Sequence, residues 1–493
     1  MKSKRIIAVC MAVLLISVIA VPAIAQEPAP ARMLLKHDEP AWRTVNNSKA
    51  DVWKRASLPM GNGKIGATIG GEPNNDSINI NEETLWSGGR GDRYPNYDDG
   101  NPDPTSAKNA YTTLSNKLLN NQTVRDSQME ALRGDSEGSG GYDGYVPLGS
   151  LKISGIGHND GYINHERVLD LDNGVATVDY DNDRVHYSRE FFVSKSDNVM
   201  AANYPSSSNG KIGFNASLEI SGSLNATSNI EVRDKVGYLT YNGTLNSNDL
   251  MHNTNIAVVP VNGTISVSNG SIAVRNADSV AIYLTTATDY KNKFSNDSNT
   301  IDYYYRTGES AEALNNRVNN VLMNAVNKGY SKLRTAHIGD YKKLYNRVSL
   351  DLGQREPNMT TDSLLNAYKN NSASKADKRY LEVLVFQYGR YLLIAGSREN
   401  SQIPTNLQGI WNDVPHVRWG SDIHTNINLQ MNYWLSNNCN LKECALPLVN
   451  YMADLKEPGG RTVEIYTGSQ HGIMAHTQNT PYGYTAPGWA IGT

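Results

Sequence analysis

Cysteine is scarce in this 493-residue chain, which contains only Cys10, Cys439 and Cys444. So few thiols exclude a disulfide framework as the main source of stability, and we expect buried apolar cores to provide it. Cys439 and Cys444 have no histidine or cysteine neighbour at the spacing of zinc ligands, so we interpret them as free thiols. We therefore expect no metal and no cofactor.

A large excess of charge of either sign is also lacking. The chain carries 46 Lys and Arg against 49 Asp and Glu, a formal net charge of -3. This balance argues against nucleic acid as a partner, because nucleic-acid binders are typically basic. Phenylalanine is rare, with 5 residues against 28 Tyr and 7 Trp. Most aromatic rings thus carry a hydrogen-bonding group, which suits a sugar-binding surface and equally suits amphipathic rings at domain rims.

Long apolar runs are absent after the N-terminus. Lys2, Lys4 and Arg5 are basic, residues 6–21 are almost wholly apolar, and Ala-Ile-Ala at 23–25 matches the small-x-small pattern before a signal-peptidase cut. The apolar run is shorter than the ~20 residues of a membrane-spanning helix, and Cys10 lies inside it rather than at its end. We predict a cleaved signal peptide over residues 1–25. The protein is then expected to be secreted from a bacterium, with no membrane contact after cleavage.

Three regions follow the signal peptide. Short alternating apolar runs broken by Asn, Gly and Asp predict an antiparallel β-sandwich or barrel over residues 32–300, with a hairpin turn at DYDNDRV. Residues 301–355 have an apolar stripe of helical period, which predicts a helical linker that ends in a strand-like VSLDLG at 348–353. Residues 356–493 combine a long helix at 376–398 with polar loops, which is typical of a helical toroid or bundle.

The helical region is short for a complete toroid. Six helix pairs need roughly 200 residues, whereas about 160 follow residue 330. We therefore expect the sequence to end inside this domain.

Four stretches are richer in side-chain chemistry than packing requires, namely 56–92, 406–413, 418–434 and 471–489. In the first, GNGKIG resembles a phosphate loop, but its spacing fits neither common nucleotide-binding pattern, so turn glycines are the better interpretation. The other three stretches supply carboxamides, imidazoles and indoles with few charges, which suits the hydroxyls and C–H faces of sugars. The candidate residues are Gln408, Trp411, Trp419, His424, Asn426, Asn428, His476 and Asn479.

Asn426 and Asn428 are two residues apart. In an extended segment both side chains would point to one face, whereas in a helix only one could face a pocket. We therefore predict an extended segment here, just before a short helix around residues 429–437. An amide could activate water only if a carboxylate polarised it.

Six blocks in order resemble the signature blocks of glycoside hydrolase family 95, the α-L-fucosidases that act on 1,2-linked fucose, with some α-L-galactosidases. They are LPMGNGKIGA, ININEETLWSGG, YVPLGSL, RVLDLDNGVATVDY, NLQGIWND and WGSDIHTNINLQMNYW. The resemblance implies a β-sandwich, a helical linker, an (α/α)6 barrel and a C-terminal β domain. It also implies an inverting reaction in which Asn428, paired with Asn426, activates water, while His424 and His476 contact the sugar.

The resemblance also shows a departure. The family's general-acid glutamate and polarising aspartate lie in a later part of the barrel that these 493 residues do not contain, and Asp422, Glu443 and Glu464 are not assigned to those roles. We therefore expect a chain of the fucosidase type with little activity of its own, and a fold that is an incomplete barrel behind the β-sandwich. A fucosylated oligosaccharide or polysaccharide is the expected partner, and the missing C-terminal part could mediate cell-surface or scaffold association.

Three alternatives stay open. The chain could be an α-L-galactosidase, because L-galactose differs from L-fucose only by a hydroxyl group at C6. It could be a non-catalytic carbohydrate-binding or scaffold-associated module built on the β-sandwich. A glycoside phosphorylase would need basic residues for phosphate, and Arg418 is the one basic residue near the polar blocks.

Overall fold

The computed structural model describes residues 31–41, 56–89, 100–133, 143–158, 161–292, 305–415 and 417–487. The predicted signal peptide lies outside these ranges. Within them, no helix is both long and apolar enough to cross a membrane.

The first half of the described chain is built of strands with alternating burial. They are β1 (Leu34–His37), β2 (Leu58–Gly61), β3 (Ile65–Ile69), β4 (Asp76–Glu82), β5 (Gly149–Ser154), β6 (Ile163–Asp170), β7 (Val175–Asn182), β8 (Val185–Ser194), β9 (Val199–Pro205), β10 (Ile212–Ile220), β11 (Leu224–Arg233), β12 (Val236–Leu245), β13 (Met251–Val261), β14 (Thr264–Ser268), β15 (Ser271–Ala277) and β16 (Ser279–Thr288).

These strands form two sheets, ordered β1-β6-β7-β8-β9-β16-β13-β12-β11 and β14-β15-β10-β5-β4-β3-β2. Every neighbouring pair runs antiparallel. The sheets contact each other through β3 with β8 and β9 and through β4 with β16. Ile80, Phe191 and Leu284 are fully buried there. The predicted antiparallel β-sandwich is confirmed.

The predicted hairpin turn joins β7 to β8. Asp183 and Arg184 both have positive φ, 50° and 67°, as a two-residue turn of the primed type requires. Aspartate adopts positive φ comparatively often, whereas arginine rarely does. The twist of the two strands therefore outweighs the ordinary preference of that one residue.

Helices form most of the second half. The helices are α1 (Pro104–Leu119), α2 (Asp126–Met129), α3 (Ala311–Lys328), α4 (Tyr330–Tyr345), α5 (Thr361–Lys369), α6 (Lys375–Gly396), α7 (Asn428–Tyr433), α8 (Leu435–Asn438), α9 (Lys442–Asp454) and α10 (Lys456–Thr467), with 3-10 turns at Glu130–Leu132 and Arg418–Ser421.

The apolar stripe of α3 covers the larger sheet. Ser310 caps the helix by accepting the Ala313 N–H at 3.1 Å. Leu314, Val318 and Leu322 are buried, and the helix packs on β13 and β16. The helical period predicted for this stretch is confirmed, and its burial joins the helical half of the molecule to the sandwich.

The strand predicted at 348–353 is wrong, because this segment has no strand partner and is irregular. Arg390 on α6 is buried and donates to the Val348 carbonyl at 2.9 Å. The same guanidinium donates to the Tyr345 carbonyl at 2.9 Å. A side chain thus satisfies the backbone that a neighbouring strand would otherwise have paired.

Candidate active site

The loop NLQGIWND lies on the β-sandwich through a buried carboxamide network. Asn79 and Asn81 on β4 donate to the Asn412 carbonyl at 2.8 and 2.9 Å, and the Asn412 N–H donates to Asn81 Oδ1 at 3.1 Å. The Asn412 side chain donates to the Tyr145 carbonyl at 2.8 Å. Because both Asn81 and Asn412 are fully buried, each lost bond would leave an unpaired polar group, so this loop has a fixed position.

Trp411 packs in the same loop against glycine backbone. Its Nε1–H donates to the Met60 carbonyl at 2.8 Å. A Cβ added at Gly409 would lie 2.8 Å from the ring, and one added at Gly66 would lie 2.6 Å from the Ile410 carbonyl oxygen. The glycines of the first stretch thus allow close approach of two backbones rather than phosphate binding.

The third and fourth polar stretches pair with each other. Ile423 N–H donates to the Asn479 carbonyl at 2.9 Å, and Thr425 N–H donates to the Thr477 carbonyl at 2.8 Å. The Thr425 hydroxyl donates to the His476 carbonyl at 2.7 Å. Segments about fifty residues apart in the chain therefore form one wall.

His424 on this wall is oriented by a carboxylate. Its Nδ1 lies 2.8 Å from Asp422 Oδ2 and 3.1 Å from Oδ1. The Asp422 side chain is 1% exposed and that of His424 is 14% exposed. A buried acceptor thus holds a ring that remains partly accessible.

Asn426 and Asn428 lie next to His424, but the predicted extended conformation is wrong. Residues 425–427 form a turn, and Asn428 is the first residue of α7. The short helix predicted here is present, starting one residue earlier and broken into α7 and α8. Asn426 is exposed and Asn428 is half-buried. Because the chain changes from turn to helix between them, the two-residue spacing alone does not fix which way their side chains point. Their catalytic role stays a prediction.

His476 and Asn479 make contacts within the fold. His476 Nδ1 lies 3.0 Å from the Thr485 carbonyl oxygen, and burial lowers the pKa of this imidazole below its ordinary value. Asn479 is fully buried and donates to the His476 carbonyl at 2.7 Å and to the Thr425 hydroxyl at 3.0 Å. These contacts position the wall, and a sugar-binding role for either residue stays a prediction.

Gln408 and Trp411 line a separate feature, a groove of about 740 Å³ between α6, α7 and the β2–β3 hairpin. Asn432, one turn after Asn428 on α7, also lines it and donates to the Asn406 carbonyl at 3.1 Å. The other six predicted residues are not among its lining. Seven of the eight residues therefore form two groups connected by α7, one in the groove and one on the wall. Trp419, 49% exposed, lies in the 3-10 turn before the wall.

Two adjacent buried carboxyl groups, Glu82 and Glu83, lie near the segment that leads into the NLQGIWND loop. Both oxygens of Glu83 accept the Gln402 N–H, at 3.1 and 3.0 Å. Glu82 accepts the N–H and the hydroxyl of Thr84, both at 2.7 Å. Burial raises the pKa of Glu83 to about 8 and that of Glu82 to about 7. Glu83 thus links the sandwich to the helical half, whereas Glu82 binds within its own turn.

The raised pKa of Glu83 predicts that this group favours the folded state more at low pH than at high pH. An unperturbed glutamic acid titrates near pH 4.5, so between about pH 4.5 and 8 Glu83 holds its proton more fully in the folded protein than in the unfolded chain. The contribution of Glu83 to the free energy of unfolding therefore falls as pH rises through that window. Replacing Glu83 with Gln should reduce this slope and stabilise the protein at pH 8.5 by at least about 1 kcal/mol. Thermal unfolding from pH 5 to 8.5 measures the effect.

The exposed Glu464 on α10 provides the control. Glu464→Gln makes the same change at an exposed side chain, so it shows how much of any effect comes from removing one negative charge. If Glu83→Gln and wild type have the same profile, the protonation assigned to Glu83 is wrong.

The wall combines a carboxylate-held imidazole with amides at a helix start. Such groups can donate to and accept from hydroxyls and can hold a water molecule. Across the ranges that the structure describes, no three His, Cys, Asp or Glu side chains gather in a way that could hold a metal ion. Sequence reasoning did not single out Asn406 and Asn412, and it named Asp422 without giving it the role of holding His424. Their signal was their position within the polar blocks, but only tertiary contacts distinguish supporting amides from exposed ones.

Two protein families match different parts of the chain. Residues 35–293 match the glycosyl hydrolase family 65 N-terminal domain. Residues 329–493 match the glycosyl hydrolase family 95 catalytic domain. All eight predicted site residues lie in the second match.

Two curated relatives match most of this chain. "Alpha-L-fucosidase 2" of Arabidopsis thaliana is 32% identical over 457 residues, 87% of this chain and 51% of that protein. "Probable alpha-fucosidase A" of Aspergillus oryzae is 32% identical over 448 residues, 89% of this chain and 59% of that protein. The chain thus spans a little over half the length of these relatives.

Among solved structures, a putative kojibiose phosphorylase from the human microbiome shares the fold. Its TM-score is 0.50 at 11% identity, over 88% of this chain and 51% of that one. At this identity the likeness concerns the fold alone. The catalytic-domain match over residues 329–493 and the two fucosidase relatives confirm the resemblance to glycoside hydrolase family 95 that the sequence blocks indicate.

Proposed function

We propose that the protein is an exported glycoside hydrolase of the α-L-fucosidase type that acts on terminal 1,2-linked fucose with inversion. The observation that supports it most is the wall formed by residues 421–425 and 476–479, because it brings the Asp422–His424 pair next to Asn426 and Asn428. Groups of this kind suit a sugar with several hydroxyls. The names of the relatives support fucose as that sugar.

In this proposal Asn428 holds the attacking water. It is the first residue of α7 and is half-buried, so it can face a ligand while the helix fixes its backbone. A neutral amide is a weak base, and it needs a carboxylate to polarise it. Inversion needs a second carboxyl group that protonates the leaving oxygen.

Neighbouring carboxylates are already engaged. Asp422 holds His424, and Glu443 forms a two-point ion pair with Arg347 at 2.8 and 3.0 Å. We therefore propose that residues 1–493 contribute the sugar-binding and water-holding part of the site and do not contribute its general acid. On this basis the chain should bind fucose better than it hydrolyses fucosides.

Saturation-transfer NMR on the 493-residue protein tests the substrate class. L-Fucose and 2′-fucosyllactose should both receive magnetisation, strongest at the C6 methyl of fucose, whereas lactose should receive little. A stronger response from L-galactose than from L-fucose would favour the galactosidase alternative. No response from either sugar would contradict the proposal, and a response retained by isolated residues 26–305 would favour a binding module on the sandwich.

A further inference from the structure

Asp422 is buried, and its carboxylate contacts His424 of the candidate site. It is the fifth residue of the polar stretch 418–434, and no catalytic role was assigned to it. Its side chain is 1% exposed, and both of its oxygens lie within 3.1 Å of His424 Nδ1. Asp422 is the only partner found for the His424 ring within the described ranges.

The backbone before Asp422 is strained. Trp419, Gly420 and Ser421 all have positive φ, at 57°, 61° and 52°. For a non-glycine residue this conformation costs on the order of 1 kcal/mol or more. Trp419 and Ser421 both adopt it, so the surrounding structure must impose this turn.

Contacts on both sides impose it. The Tyr145 N–H of the sandwich donates to the Gly420 carbonyl at 2.8 Å, and a Cβ at Gly420 would lie 2.5 Å from the Asp143 carbonyl oxygen. On the other side, Leu407 N–H donates to the Asp422 carbonyl at 3.1 Å. The backbone that carries this carboxylate is therefore fixed between the sandwich and the NLQGIWND loop.

We propose that Asp422 is a positioning residue that selects the tautomer of His424. An ionised carboxylate only accepts hydrogen bonds, so the imidazole must carry its proton on Nδ1. In the neutral ring Nε2 is then a bare acceptor, which suits a hydroxyl group that donates from a bound sugar. The choice of a sugar hydroxyl rests on the proposed function, whereas the tautomer itself does not.

The tautomer can be measured without any ligand. Imidazole ¹⁵N shifts of the wild-type protein at pH 9, where an ordinary imidazole of pKa about 6.5 is neutral, should report Nδ1–H for His424. In Asp422→Asn the new side chain can donate as well as accept, so the signal should move toward the Nε2–H form. His476 provides an internal control, because its Nδ1 faces the Thr485 carbonyl at 3.0 Å and should not change.

Three results would overturn the assignment. They are a wild-type His424 that is mainly Nε2–H, an Asp422→Asn variant with an unchanged His424 signal, and equal changes at His424 and His476. The last would mean that Asp422 holds the whole wall rather than one ring.

Affinity for L-fucose distinguishes this inference from the proposed function. Asp422→Asn should weaken fucose binding about 3- to 10-fold, within the range of one lost hydrogen bond. If the tautomer changes as expected and neither protein binds fucose, the positioning role stands and the proposed substrate is wrong. If wild type binds fucose and the tautomer does not change in Asp422→Asn, the proposed substrate stands and the positioning role of Asp422 is wrong.

Discussion

The 493-residue protein is expected to release fucose from 2′-fucosyllactose at least about 100-fold more slowly than a full-length relative such as the Arabidopsis protein. Inversion needs a positioned acid and an activated water, and loss of one such group commonly costs 10² to 10⁴ in rate. Asp422 in the wall is held by His424, and Glu443 on α9 is held by Arg347. We therefore expect the water-holding amides to be present without the acid.

Released fucose, quantified by anion-exchange chromatography at equal enzyme concentration, measures this difference. Heat-denatured protein gives the background rate. Turnover within a few-fold of the full-length relative would mean that the acid lies among residues 1–493, and our assignment of Asp422 and Glu443 would then need to change.

Gly66→Ala is expected to destabilise the protein by about 1–3 kcal/mol, as overpacking of a close contact does. The added Cβ would lie 2.6 Å from the Ile410 carbonyl oxygen, which is backbone and cannot rotate away. The change therefore pushes the NLQGIWND loop off β3, and with it Trp411. A lower melting temperature and faster proteolysis near residue 410 should appear together.

Gly222→Ala is the matched control. Within the described ranges, no atom beyond its chain neighbours lies within 4 Å of a Cβ at Gly222. The same substitution there should therefore change the free energy of unfolding by no more than about 0.5 kcal/mol. Equal stability of the Gly66 and Gly222 variants would contradict the close approach of β3 and the loop.

Patterns that depend on neighbours in sequence predicted much of the fold. Alternation gave the strands of the sandwich, and the four-residue spacing of Leu314, Val318 and Leu322 gave α3. The turn interpretation of GNGKIG was confirmed because Gly61 ends β2 and Gly66 lies in β3. In each case the physical cause lies within a few residues of the pattern.

Features that depend on distant contacts were predicted less well. VSLDLG alternates like a strand, yet Arg390 satisfies its first carbonyl. The spacing of Asn426 and Asn428 suggested an extended segment, yet α7 begins between them. Asn412 was not singled out from the sequence, yet its bond to Asn81 makes it a bridge between loop and sandwich. Sequence alone does not say which amide is buried.

The central claim is that the wall carrying Asn426 and Asn428 binds fucose. The dissociation constant of L-fucose, measured for wild type and for the double variant Asn426→Ala/Asn428→Ala, tests it most directly. Asn437→Ala, which removes an exposed amide on neighbouring α8, is the control. We expect at least about 10-fold weaker binding by the double variant, the effect of losing two hydrogen bonds, and wild-type affinity for the control. Equal affinity of the double variant and wild type would contradict the claim.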